Sequence, residues 1–428
     1  MRSRAFPTSR QIARPGETPR SGERLWWGAV VLFVVAGATG ALFRYGMAYG
    51  GTWGLSLENI RHAHSHLMYF GWGTPAMMVL IWRFLPVEPS ASLDRAFRWV
   101  AGSTLAAALV AYPLFLLFGY SPVQIGSARL PIAVVGASLN ILCWYGFVVL
   151  YIKATYHLPR EGALRLWDVA VGALVLATLG AWSLALLPAL GLHNPLIATG
   201  LTHVFLDLFS EGWFVLGALG LAFAVLAERS DGPASWSVWL VVLGLPFTFL
   251  LGMPVDRLPA EMELAGRLGG ILVALGLLAM TVQLSRGVFS GRIGWMWGVP
   301  LGFLGLKAGA QLTACLVPGV WLGGSHGLRV LYLHLMLLGF LTLGLMAAAR
   351  ALWTRMHPAH VGVFYGTVGV LLLTLFPLTP WISGGVAAYK IAFWAALGPV
   401  LAAAWLLARA TVGSGPPVVR PPPVVDSS

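Results

Sequence analysis

The stretch Arg61-His62-Ala63-His64-Ser65-His66-Leu67-Met68-Tyr69-Phe70-Gly71-Trp72 opens an apolar run that carries no charge until Arg83 and closes at Pro86. A run of that length is a bilayer crossing, which needs about 20 mainly apolar residues. Imidazoles at its mouth are costly in that setting and call for a partner or a function. Reading outward, eleven further runs of the same kind appear. The twelve predicted spans cover roughly 25–49, 63–86, 97–119, 130–153, 166–190, 197–227, 236–255, 263–284, 295–317, 328–350, 360–378 and 389–409. None shows the short alternating segments of a membrane barrel. The expected fold is therefore all-α, a polytopic bundle of twelve transmembrane helices.

Composition agrees. Of 428 residues, 58% are hydrophobic and 10% charged, with a mean hydropathy of +0.80, whereas soluble chains carry about 25% charged residues. An ordinary soluble enzyme, a disordered protein and a disulfide scaffold are excluded. Cys143 and Cys315 both lie in apolar runs and form no metal or disulfide motif. The net charge of +12 maps to loops between spans, which is topology and not a nucleic-acid face.

With a cytoplasmic N-terminus, 19 Lys and Arg residues collect on the inner side and seven on the outer side or its helix ends: Arg44, Arg61, Arg129, Arg257, Arg267, Arg329 and Lys390. That asymmetry predicts a protein of the cytoplasmic membrane with both termini on its cytoplasmic side. Residues 1–24 read as a flexible basic N-terminus, 25–410 as the transmembrane domain, and 411–428 as a Pro-rich disordered tail. The first span reads as a retained helix, since no small-residue cleavage pattern follows it.

Ionisable residues inside the spans are few. Span 2 opens with His62, His64 and His66; span 6 carries His203, Asp207 and Glu211; span 10 carries Tyr332 and His334. Even-numbered spans run inward, so these groups share the outer half of the membrane. His62 and His66 are four apart and share a face, while His64 points about 200° away at 100° per residue. His203, Asp207 and Glu211 form one stripe, fit for a metal or for protons. A six-coordinate haem takes two axial histidines from two helices, which spans 2 and 10 can supply. The surroundings of the two histidines match: His66-Leu-Met-Tyr-Phe-Gly-Trp parallels His334-Leu-Met-Leu-Leu-Gly-Phe. Lys307, with Gln311 one turn on, is the mid-membrane cation and reads as the partner of a carboxylate or part of a polar channel. His157, His193, His326, His357 and His360 read as loop residues without a role.

At these residues the chain resembles subunit I of the haem–copper oxidase superfamily, which includes cytochrome oxidases and nitric oxide reductases. Span 2 is similar in His64, Leu67-Met68, Phe70, Pro75-Ala76 and Pro86, and Tyr332-Leu333-His334 stands where the family has His-x-His. The resemblance implies a low-spin haem b held by His64 and His334, with His66 as the alternative to His64. Span 6 resembles the reductase pattern His-x-x-x-Glu-Gly; aligned on Glu211-Gly212-Trp213, the family's metal ligand falls on Asp207, with His203 one turn earlier as its substitute. Those residues imply a second metal, copper or non-haem iron, or a proton-handling pair.

The departures are specific. The family's adjacent histidines on helix 7 are absent, and Tyr332 replaces the high-spin haem ligand. The low-spin site is kept while the binuclear centre is degenerate. Span 2 also resembles the NnrS family of haem- and copper-containing membrane proteins linked to nitric oxide stress, through its His-x-His-x-Met-x-Phe-Gly sequence. Both resemblances imply respiratory electron transfer or nitric oxide and oxygen chemistry at the outer face. Arg61 and Arg329 are candidates for the haem propionates, and a cytochrome c-type or cupredoxin donor, or a partner subunit, is the expected protein partner. A haem-free transporter or metal-permeation protein is the remaining alternative.

Overall fold

The computed structural model describes residues 20–187, 190–226, 232–317, 326–353, 355–382 and 384–412. The expectations placed on residues 1–19, on Arg229 and on the tail from Gly413 lie outside the described residues. Among the described residues eleven helices are long and apolar enough to cross a membrane. Residues 57–84 form a twelfth, distinguished by its polar outer end, Leu57–His66. The protein is an all-α polytopic bundle, with one short hairpin, Val123–Ile125 against Ala128–Leu130, joining spans 3 and 4.

Local sequence explains where the spans depart from the expected ranges. Span 1 starts at Arg20, earlier than residue 25. Span 7 is α-helical only over Ser235–Gly244 and tightens into a 3-10 stretch, Leu245–Gly252. Pro246 lacks the N–H that an α-helical turn would use there. His326 begins the span 10 helix. His357 caps span 11, its Nδ1 accepting from the Ala359 N–H at 3.3 Å, and His360 lies in that helix with its ring 4.2 Å from Trp405. His326 and His360 are thus helical residues, not loop residues.

Spans 2, 6 and 10 contact one another and the other helices surround them. In spans 6 and 10 the apolar windows are 83% and 67% buried, against 50% or less in the other nine helices of that kind. Each of the three central spans contains a π-helical stretch: Leu67–Gly73, Leu208–Val215 and Leu335–Thr342. These begin directly after His66, Asp207 and His334, and in each the residue four further on is a glycine: Gly71, Gly212 and Gly339. Such widened turns interrupt the α-helical ladder and recur at functional sites. In span 10 the Thr342 hydroxyl donates to the Leu337 carbonyl at 2.8 Å, satisfying an acceptor within the widened turn.

Side chains from the widened turns tie the three helices pairwise. Trp72 Nε1 donates to Thr342 Oγ1 at 3.0 Å, joining spans 2 and 10. Tyr69 and Ser210 hydroxyls are 2.9 Å apart, joining spans 2 and 6. The Tyr332 hydroxyl donates to Glu211 Oε1 at 3.0 Å, joining spans 6 and 10. Around them Phe70, Trp144, Phe209 and Phe214 pack at aromatic contact distances, a geometry that adds about 0.5–1.5 kcal/mol per pair beyond area burial.

Candidate functional site

His64 lies in the last turn of the outer helix of span 2 and turns toward span 1. Its Nδ1 lies 2.7 Å from the Ala36 carbonyl. A carbonyl only accepts, so Nδ1 carries the proton and Nε2 keeps its lone pair, the tautomer a metal ligand needs. One turn along span 1, Gly40 leaves room for the ring: a Cβ there would sit 2.7 Å from His64 Cε1.

His334 is held in the same way by its own helix, with Nδ1 2.7 Å from the Val330 carbonyl. Its Nε2 therefore also keeps a lone pair. Both rings are half-buried. Neither Nε2 has a hydrogen-bond partner among the described residues.

A cation completes this region. Arg44, buried at 8% exposure, lies one turn beyond Gly40 on span 1, and its charge acts on both His64 and His334. Sequence reasoning placed Arg44 among ordinary outer-end arginines and missed it. The available signal was its spacing, since Ala36, Gly40 and Arg44 fall on one helical stripe. Arg61 is half exposed and 3.7 Å from Glu58, and Arg329 is exposed and acts on His203. Of the three arginines, Arg44 is the one whose charge reaches both imidazoles.

His66 goes elsewhere. Its Nε2 is 2.7 Å from the Tyr120 hydroxyl, and its ring stacks on Phe115 at 3.7 Å and 12°. His62 lies beside the same Tyr120 ring at 4.7 Å and 3.4 Å from Glu58. The pair faces the outer end of span 3, on the side of span 2 away from His64. Two imidazoles with unpartnered Nε2 atoms among the described residues, on two helices and with a buried arginine on span 1, supply the donor set of a bis-histidine haem.

The span 6 stripe is divided among different neighbours. His203 is half-buried and packs against Gly252 of span 7, where any side chain would collide with its ring. Asp207 is half-buried and has no hydrogen-bond partner among the described residues. Glu211 is buried and paired: Lys307 Nζ lies 2.7 Å from its Oε1 and 2.6 Å from Gln311 Oε1. Tyr332 donates to the same Glu211 oxygen and lies 3.3 Å from Gln311 Oε1. Lys307 is completely buried, and Glu211 is its carboxylate partner. Among the described residues no group of three or more His, Cys, Asp or Glu side chains converges as a metal site. The donors of span 6 do not fit the second metal expected there.

No family model matches the chain, and no curated protein sequence matches it. Among solved structures it is similar to a haem–copper terminal oxidase determined by cryo-electron microscopy as a dimer, with a TM-score of 0.65 and 12% identity. The match covers 94% of this chain and 85% of the oxidase chain. At that identity the likeness is one of fold: this is a membrane protein with the architecture of a haem–copper terminal oxidase.

Proposed function

We propose that the protein is a membrane-embedded b-type haem protein that carries electrons in a respiratory or nitric oxide context, with His64 and His334 as axial ligands. The observation that carries this reading is the matched tethering of the two imidazoles. Each Nδ1 is locked on a backbone carbonyl, which leaves each Nε2 lone pair available to a ligand. A haem bound there would supply a single-electron redox centre. The chain supplies the rest. Ala36 and Val330 orient the rings, Gly40 leaves room for one of them, and Arg44 offers positive charge beside them.

Location at the outer half of the cytoplasmic membrane, with both termini inside, follows from the Lys and Arg asymmetry. An outer haem suits a cytochrome c-type or cupredoxin donor, or a partner subunit with that role. Asp207, with His203 one turn outward, would exchange protons with the outer face as the charge on the haem changes. A copper or non-haem iron ion finds no three-donor set around Glu211 among the described residues, and Glu211 Oε1 already accepts from Lys307 and Tyr332.

The test is spectroscopic. Purified protein should give a reduced-minus-oxidised b-type spectrum, and His64→Ala or His334→Ala should each abolish it. A colourless protein with normal membrane insertion would sink the proposal.

A further inference from the structure

We infer that the Lys307 ammonium takes the place of a second metal cation beside Glu211, so that the protein carries one redox centre and passes electrons singly. A buried carboxylate needs a compensating positive charge and saturating hydrogen bonds. Here Glu211 Oε1 accepts from both Lys307 Nζ and the Tyr332 hydroxyl, at 2.7 and 3.0 Å. The ammonium gives a second hydrogen to Gln311 Oε1 at 2.6 Å and lies 5.4 Å from the centre of the Tyr332 ring. Three helices thus contribute to one network: span 6 through Glu211, span 9 through Lys307 and Gln311, and span 10 through Tyr332.

A divalent ion on Glu211 would meet that ammonium at close range. Two such positive charges in contact repel strongly in an interior that screens them far less than water does. The ammonium is tethered by its own helix, so it cannot leave as a water would. Glu211 Oε2, the remaining oxygen, is buried without a partner among the described residues, and no further His, Cys or carboxylate joins it in a three-donor set. Reducing dioxygen to water takes four electrons and four protons, and joining two nitric oxide molecules into nitrous oxide and water takes two of each. A chain with one single-electron centre holds neither charge at once. The electron count rests on the haem reading above; the replacement of the metal does not.

The experiment is metal analysis of the full-length detergent-purified protein, produced with copper and iron supplied, beside its absorption spectrum. The expected result is haem iron alone, with neither copper nor non-haem iron approaching one per chain. Stoichiometric copper or non-haem iron overturns the inference. Absence of every metal, haem included, removes the haem reading and leaves Lys307 as the cation. Paired variants test the ammonium directly. Lys307→Met should lower the thermal midpoint more than Lys307→Met combined with Glu211→Gln, because only the single variant strands a buried carboxylate. A double variant as unstable as the single one, or worse, overturns the assignment.

Discussion

Gly40 and His64 occupy one steric niche: a single methyl group at position 40 would stand 2.7 Å from the imidazole Cε1 and 2.8 Å from Nδ1. The bond from Nδ1 to the Ala36 carbonyl depends on that opening. Replacing Gly40 by Val should push the ring off its acceptor while leaving a buried apolar helix face intact. Haem content is expected to fall at least tenfold, about 1.4 kcal/mol of binding, with expression and helicity unchanged. A Gly40→Val protein with full haem occupancy would remove His64 from the pocket.

His66 and His64 are two residues apart but serve different neighbours. His66→Phe keeps the stack on Phe115 and loses only the contact with Tyr120. The expected outcome is an unchanged haem spectrum with a loss of roughly 1 kcal/mol in stability, read as a small drop in melting temperature. Loss of haem in His66→Phe with retention in His64→Phe would reverse the ligand assignment.

Arg44 presents positive charge to both imidazoles. Positive charge favours the reduced, less positive form of a redox centre. Arg44→Met should therefore lower the haem midpoint potential, by an amount on the order of tens of millivolts, while Arg44→Lys should recover much of it. Spectroelectrochemical titration reads both variants. An unchanged potential in Arg44→Met would place the guanidinium outside the reach of the haem.

Trp72 and Thr342 hold spans 2 and 10 together at 3.0 Å in a fully buried contact. Thr342→Val preserves shape but leaves the indole N–H without an acceptor, which costs about 1–3 kcal/mol. The variant should unfold earlier than the wild type in a thermal shift and release haem in the same transition, because the two proposed axial ligands, His64 and His334, sit on the helices it joins. Haem release well before unfolding would show that the two spans can part without melting the bundle.

The membrane class and the spans were legible in the chain because they depend on local composition: stretches of about 20 apolar residues can only be satisfied by lipid or by one another. That spans 2, 6 and 10 carry the inward ionisable groups was legible for a related reason. Bilayers penalise buried charge, so the few ionisable groups inside them stand out. The separation of His64 from His66 could also be argued from the 100° step of a helix.

What composition could not supply was the partner of each group, since partners lie on helices far apart in the chain. Lys307 and Glu211 are 96 residues apart, and Trp72 and Thr342 are 270 apart. The stripe of His203, Asp207 and Glu211 looked like one site because its members share a helix face. Packing of spans 7, 9 and 10 against that face divides it, giving His203 to Gly252 and Glu211 to Lys307. Arg44 was hidden for the opposite reason. Its position near a helix end resembles that of any interfacial arginine, and only the approach of spans 2 and 10 turns its charge toward two imidazoles. The sequence by itself determined which residues the bilayer would force inward. Tertiary structure alone decided which of them meet, because charge compensation inside a membrane is settled by distances between helices and not by distance along the chain.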